Sequence, residues 1–218
     1  YCGILVPLDK NASDKIIYSI KKFNELHSIG SGMHLSMLTS CLVNNQNINN
    51  YLDYNHTHQK NIRQVFNKFT ETKLSKKNFS LDGCSAPQYS FKIKSISKAL
   101  NNLIKSYKDC YDYSEEVKTL INSVLENPEF IGGTGSFDTK VMKASKGKLF
   151  CKSGAEGVFL FIDIQKEISG VVKITDGNER AITISIINIF LFIFKFGLPK
   201  ILIDPFPNFI FTPIFFNI

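Results

Sequence analysis

The chain reads as an α+β fold, with helices packed against a mainly antiparallel sheet. Two observations carry this. Between Asn11 and Glu126 apolar residues recur at helical spacing, whereas between Leu149 and Ile174 short β-prone runs are separated only by turn residues. Helices come first and strands late, without the strict alternation of a parallel α/β sheet. The 218 residues, 44% hydrophobic and 21% charged, suit a globular chain with a sizeable core.

The elements follow in order. Asn11-Ala-Ser-Asp14 opens a helix whose apolar positions are Ile16, Ile17, Ile20 and Phe23. Gly30-Ser31-Gly32 reads as a flexible loop before an apolar helix from His34 to Val43. A third helix, about His58 to Thr72, is expected to bury Ile62, Val65, Phe66 and Phe69. Asp82 to Pro87 has the composition of a tight turn. Helices follow around Ser95 to Lys108 and from Ser114 to Glu126, the second stopped by Asn127-Pro128. A Gly-rich loop, Gly132 to Asp138, then leads into a short helix through Met142. Leu149 to Lys152, Val158 to Ile164 and Ser169 to Ile174 are the expected strands.

The end of the chain departs from this pattern. Ile182 to Phe194 is uncharged but shorter than the roughly 20 residues of a membrane span, and Ser185 and Asn188 interrupt it. Its first half suits a core helix. The Phe- and Pro-rich remainder has no usable period, so the expected division is a domain over 1–187 and a divergent tail over 188–218.

A formal charge of +7 raises the question of a polyanionic partner. Nearly all of it is lysine, scattered on polar faces, with Arg63 and Arg180 the only arginines and no interleaved aromatics. A solvated basic surface is expected, with no nucleic acid as partner; a membrane is not the expected partner, and a membrane-associated interaction protein, resting on the Phe-rich tail alone, is the third and most distant reading. Cys2, Cys41, Cys84, Cys110 and Cys151 are odd in number and form no CxxC pair, which fits a reducing, cytoplasmic setting.

Few short motifs carry chemistry alone. Lys152 ends an apolar run and precedes Ser153-Gly154, the way several serine amidohydrolases present a cation to a substrate carboxylate or to a nucleophilic hydroxyl. A strand-end lysine that merely reaches water is the bland alternative. The loop Gly132 to Asp138 lacks the Gly-Lys-Ser/Thr ending of a phosphate loop. Cys84 has no neighbouring cysteine with which to share a metal, and His34, His56 and His58 are as ambiguous.

Order and spacing together say more. Successive blocks read CG-x-x-x-PLD at Cys2 to Asp9, SG-x-H at Ser31 to His34, YLD-x-x-H-x-x-Q at Tyr51 to Gln59 and DGC-x-x-P at Asp82 to Pro87. They continue as P-E-x-I-x-GTG-x-FDT at Pro128 to Thr139, K-x-GAEGV at Lys152 to Val158 and K-x-x-DGN-x-RA at Lys173 to Ala181. This succession resembles the asparaginase II family, the thermolabile, rhizobial-type L-asparaginases, from Cys2 to about Ile187.

The resemblance implies a fold similar to serine β-lactamases and glutaminases, and hydrolysis of L-asparagine to aspartate and ammonia by serine hydroxyls that lysines activate. Lys152 matches one catalytic lysine. Ser31, Gly32, His34, Asp82, Thr134, Gly135, Asp138 and Glu156 fall in the matching blocks as substrate-binding candidates. L-asparagine is the small-molecule substrate so implied, and a homodimer is the assembly it allows. The family holds zinc through the cysteine and lysine of a C-S-G-K-H block and the cysteine of the DGC block, which Cys84 matches. Here Gly30 and Met33 stand at the other two ligand positions; glycine offers no donor and a thioether is a poor zinc ligand, so no zinc cofactor is expected.

The family's catalytic serines and a Ser-x-x-Lys lysine precede the CG-x-x-x-P block. The expectation is therefore an N-terminally truncated chain, inactive by itself and exposing apolar surface, or else a degenerate, binding-only paralogue. Ser19/Lys22, Ser95/Lys98 and Ser145/Lys148 repeat the Ser-x-x-Lys spacing, but such matches arise readily in so lysine- and serine-rich a chain.

Overall fold

The computed structural model describes residues 6, 7, 9–19 and 22–194; Cys2, Gly3, Ile20 and most of the Phe-rich tail lie outside them. Helix α1 spans Lys10–Tyr18, with Asp9 as its cap: the carboxylate accepts from the Ala12 amide at 2.8 Å. The helix expected to reach Phe23 thus stops at Tyr18, and Ile17 faces solvent rather than a core.

Helix α2 is Ser31–Val43, so Ser31 and Gly32 form its first turn rather than a flexible loop. The preceding turn makes this possible, because the Ser31 amide donates to Ser28 and the His34 amide to Gly30, at 3.0 Å each. Helix α3 is Thr57–Thr70 and ends where Glu71 takes a left-handed conformation. Phe69 is buried as expected, but Val65 and Phe66 are exposed, because that face meets only a small hairpin. Strands β1 (Phe79–Leu81) and β2 (Pro87–Tyr89) form the hairpin around the Asp82 turn, and Phe66 packs edge-on against Tyr89.

Helices α4 (Ile93–Tyr107) and α5 (Ser114–Glu126) follow, then a one-turn helix α6 (Pro128–Gly132) and α7 (Phe137–Ala144). Strands β3 (Leu149–Gly154), β4 (Val158–Asp163) and β5 (Ile168–Lys173) form an antiparallel sheet in the order β3-β4-β5. Helix α8 (Arg180–Phe194) runs unbroken across the boundary drawn after Ile187, and Phe190 is part of the sheet core. Among the described residues no helix is long and apolar enough to cross a membrane. The architecture is the expected α+β class, with a mainly antiparallel sheet among helices.

The sheet is covered on both faces, which explains why β4 reads as a nearly unbroken apolar run. Phe159 and Phe161 point into a cluster with Val141 and Met142 of α7 and Ile182, Ile186 and Phe190 of α8. The alternate residues, Leu160 and Ile162, meet Leu100 and Ile104 of α4. Gly170 stands opposite Phe161 and lets its ring lie over β5, since a Cβ there would sit 2.5 Å from the ring.

The two ends of the fold are thus unlike. Around the sheet the apolar residues are buried, whereas on α2 Met33, Leu35, Leu42 and Val43 are all exposed.

Candidate functional site

Lys152 lies on β3, opposite Leu160 of β4, and projects beside the N-terminal turn of α7. Ser136 caps that helix, its hydroxyl accepting from the Thr139 amide at 3.2 Å. The Thr139 hydroxyl donates to the Gly133 carbonyl at 2.8 Å, which ties the Gly-rich loop back on itself. Gly132 has to be glycine, because a Cβ would lie 2.7 Å from both the Ser136 and Thr139 hydroxyls. Gly133 and Gly135 have left-handed φ values of 84° and 73°.

This folding places Asp138 in the first turn of α7 and against the free edge of β3. Asp138 is 2% exposed. Its Oδ2 accepts from the Ser153 amide at 2.8 Å and the Ser153 hydroxyl at 2.9 Å, and lies 3.4 Å from Lys152 Nζ. Lys152 Nζ also donates to the Ser153 carbonyl at 2.6 Å, while the side chain keeps 43% exposure. The outcome is a half-exposed ammonium anchored from below by a buried carboxylate. Cys151, next to it, is fully buried; burial pushes its thiol well above the usual range, the Asp138 charge adds to the shift, and Lys152 opposes it.

Other blocks converge on the same side. The Asp9 carboxyl is held below the usual carboxylate range by the Ala12 amide and next by the Thr134 hydroxyl, which places the start of α1 on the Gly-rich loop. Glu156 is exposed at the β3–β4 turn with φ of 62°, and its carboxylate lies so near Gly177 that a Cβ there would meet it at 2.6 Å. Lys173 Nζ donates to the Glu156 and Ile174 carbonyls at 2.6 Å each, so this lysine joins the two turns.

A second group forms elsewhere. His34 is buried on α2, with its Nδ1 2.5 Å from the Tyr51 hydroxyl and its ring edge-on to the tyrosine. Burial lowers its pKa, opposed by the Asp82 carboxylate and the Cys84 backbone, so both residues of the DGC turn face the ring. Nε2 has no hydrogen-bond partner among the described residues. Asp82 is used locally: Oδ1 accepts from the Cys84 amide at 2.8 Å and the Ala86 amide at 2.9 Å. The Ser31 hydroxyl donates to the Leu26 carbonyl at 3.1 Å, and Gly32 has open space above it. Of the sequence-selected residues, then, Thr134, Gly135, Asp138, Lys152 and Glu156 belong to the sheet end. Ser31, Gly32, His34, Asp82 and Cys84 belong to the α2 end. The contacts described above tie each group within itself.

The three Ser-x-x-Lys spacings do not form pairs. The Ser19 hydroxyl donates to Ile16, and that of Ser145 donates to Met142. Ser95 accepts from Thr72, while Lys98 pairs with Glu71. Sequence reasoning read Ser153 only as the residue that follows Lys152 in the KSG run and gave it no role of its own. It also passed over Asp9 and Tyr51 as contacts of the selected residues.

A family model described as L-asparaginase II matches residues 1–194 of the chain. Among curated proteins, none matches it.

Proposed function

The chain belongs to the L-asparaginase II family, and from that premise we propose that it carries the cationic half of an amide-hydrolysing site for L-asparagine. Lys152 is the residue that acts, and these 218 residues by themselves bind the amide without turning it over. The observation that supports this reading is the anchoring of Lys152 between the Asp138 carboxylate and the Ser153 carbonyl, with its ammonium still half-exposed. A fixed cation at the rim of a sheet can hold a substrate carboxylate or orient a hydroxyl at the amide carbon.

Amide hydrolysis of this type needs a hydroxyl that attacks the amide carbon, gives up its proton, and expels ammonia before water releases the acyl group. The hydroxyls of Ser19 and Ser145 donate to backbone carbonyls, that of Ser95 accepts from Thr72, and the Ser153 hydroxyl is committed to Asp138. This supports a site that binds rather than one that hydrolyses.

Zinc does not fit the residues present. Cys84 is a suitable donor, but Gly30 has no side chain and the Met33 thioether is a weak ligand. No group of three His, Cys, Asp or Glu residues among those described could hold a metal. Purified protein is therefore expected to carry well under one zinc per chain by elemental analysis, and stoichiometric tightly held zinc would contradict the reading.

The direct test measures ammonia release and calorimetric binding of L-asparagine by the same preparation. Binding without ammonia release, lost in Lys152→Ala, is the expected outcome. Turnover that disappears in Lys152→Ala would show that the site is complete. Neither binding nor turnover would remove L-asparagine as its ligand.

A further inference from the structure

Asp138 cannot serve as a substrate contact in the arrangement seen, because it is 2% exposed and its Oδ2 already meets three groups of β3. What those three groups have in common is the Lys152–Ser153 peptide. The Ser153 amide points away from β4, toward the open edge of the sheet, and would be an unpaired edge donor without the carboxylate. The same edge is closed at the start of β3 by Ser145, at the C-terminal end of α7, whose hydroxyl accepts from the Leu149 amide at 3.1 Å. Helix α7 therefore lies along β3 as a cap, and only at Asp138 does the cap bring a charge.

We propose that Asp138 is a positioning residue that fixes the Lys152 ammonium, working through the strand edge it closes; this rests on reading Lys152 as the cation of the site. The carboxylate has two separable tasks. It accepts from the Ser153 amide and hydroxyl, which an isosteric amide would also do. It faces the ammonium as a charge, which an amide does not. Sitting in the first turn of α7, it also lies where a helix favours negative charge.

The separation gives the experiment. Folded chain is treated briefly with acetic anhydride at neutral pH, and acetylation at each lysine is read by peptide mass spectrometry in the natural chain, Asp138→Asn and Asp138→Ala. Exposed Lys148 on the same stretch is the internal reference. Lys152 is expected to react about threefold more slowly than Lys148 in the natural chain, in proportion to a half-exposed ion pair, and both variants abolish most of that protection. Thermal stability follows a different order: it falls in Asp138→Ala and largely returns in Asp138→Asn, which still closes the strand edge. Rescue of stability without rescue of protection is the signature of the charge role. Persistent protection in folded Asp138→Asn would overturn it, as would equal reactivity of Lys152 and Lys148 in the natural chain, a measurement that needs no variant to fold. Absence of asparagine binding would count against the site's ligand alone and leave the labelling result standing.

Discussion

The β3–β4–β5 sheet and helix α2 are both rich in apolar residues and treat them in opposite ways. In the sheet, Cys151, Phe159 and Ile162 are completely buried, and helices cover both faces. On α2, Met37 and Cys41 are the buried apolar residues, while Leu35, Leu42 and Val43 stand in solvent. The chemistry follows the same division. The ammonium at the sheet end is held by a carboxylate and a carbonyl, whereas the imidazole at the α2 end is buried with one nitrogen unmatched among the described residues. A site residue is positioned only as well as the packing beneath it: the strand that carries Lys152 belongs to a sheet with large clusters on both faces, whereas His34 lies beside the smaller cluster of Met37, Cys41, Tyr51 and Ala86.

The largest test of this contrast is truncation at each end. Phe159→Ala removes a fully buried ring from the sheet cluster covered by α7 and α8 and is expected to cost about 4 kcal/mol. Leu35→Ala on the exposed face of α2 should change stability by less than about 0.5 kcal/mol. Urea midpoints of the two variants check this, and similar losses from both would show that α2 is as well covered as the sheet. A smaller effect is expected from Gly170→Ala, where the new methyl meets the Phe161 ring at 2.5 Å. The ring is clamped against Phe190 and cannot retreat freely, so the cost should be about 2 kcal/mol.

The same contrast explains which parts of the molecule could be read from sequence. The three strands at the sheet end were legible because apolar runs and turn residues alternate over about the length of a strand. The β1–β2 hairpin was not, since three-residue strands leave no period and only the Asp82 turn gives a signal. Val65 and Phe66 follow the helical period of a buried face, yet that face meets a hairpin too small to cover it. Within the site, Lys152 and Asp138 each stood out in its own block. Their contact did not, because it depends on α7 lying along the β3 edge, which no local pattern encodes. Ser153 was given no role for the same reason, since its hydroxyl acquires meaning only from the carboxylate beside it.

Acid should separate the two ends. All four histidines, His27, His34, His56 and His58, lie between residues 27 and 58, and none is at the sheet end. Burial lowers the pKa of His34 and of His58, the latter also by the His56 charge. Each therefore binds fewer protons in the folded state than in the unfolded one, and stability increases with pH across this range. Their contribution is fully present above the ordinary value of 6.5 and is lost as pH falls through the lowered folded values. As pH falls from about 7.5 to about 5, amide-exchange protection, corrected for the intrinsic pH dependence of exchange, should drop in α2 and α3 before it does in β4. A uniform drop in all three would mean that the ends unfold as one unit.

The smallest expected effect is also the one that bears most directly on what covers α2. Gly32 sits in the first turn of the helix in ordinary helical backbone, with nothing within 4 Å of where a Cβ would be. Alanine there reduces the entropy of the unfolded chain and meets no neighbour, so Gly32→Ala should stabilise by about 0.5 kcal/mol. This is opposite in sign to the same substitution at Gly170, where the methyl has no room. A loss at Gly32 would require some group to occupy that space, and the exposed residues Met33 and Leu35 would then be part of a contact. If L-asparagine binding weakens while stability rises, the open space above Gly32 is used by the ligand, and the α2 end contributes to the site after all. If both stability and binding follow the helix propensity alone, the α2 block keeps the family's spacing without its role, and Lys152 and its carboxylate hold what remains of the site.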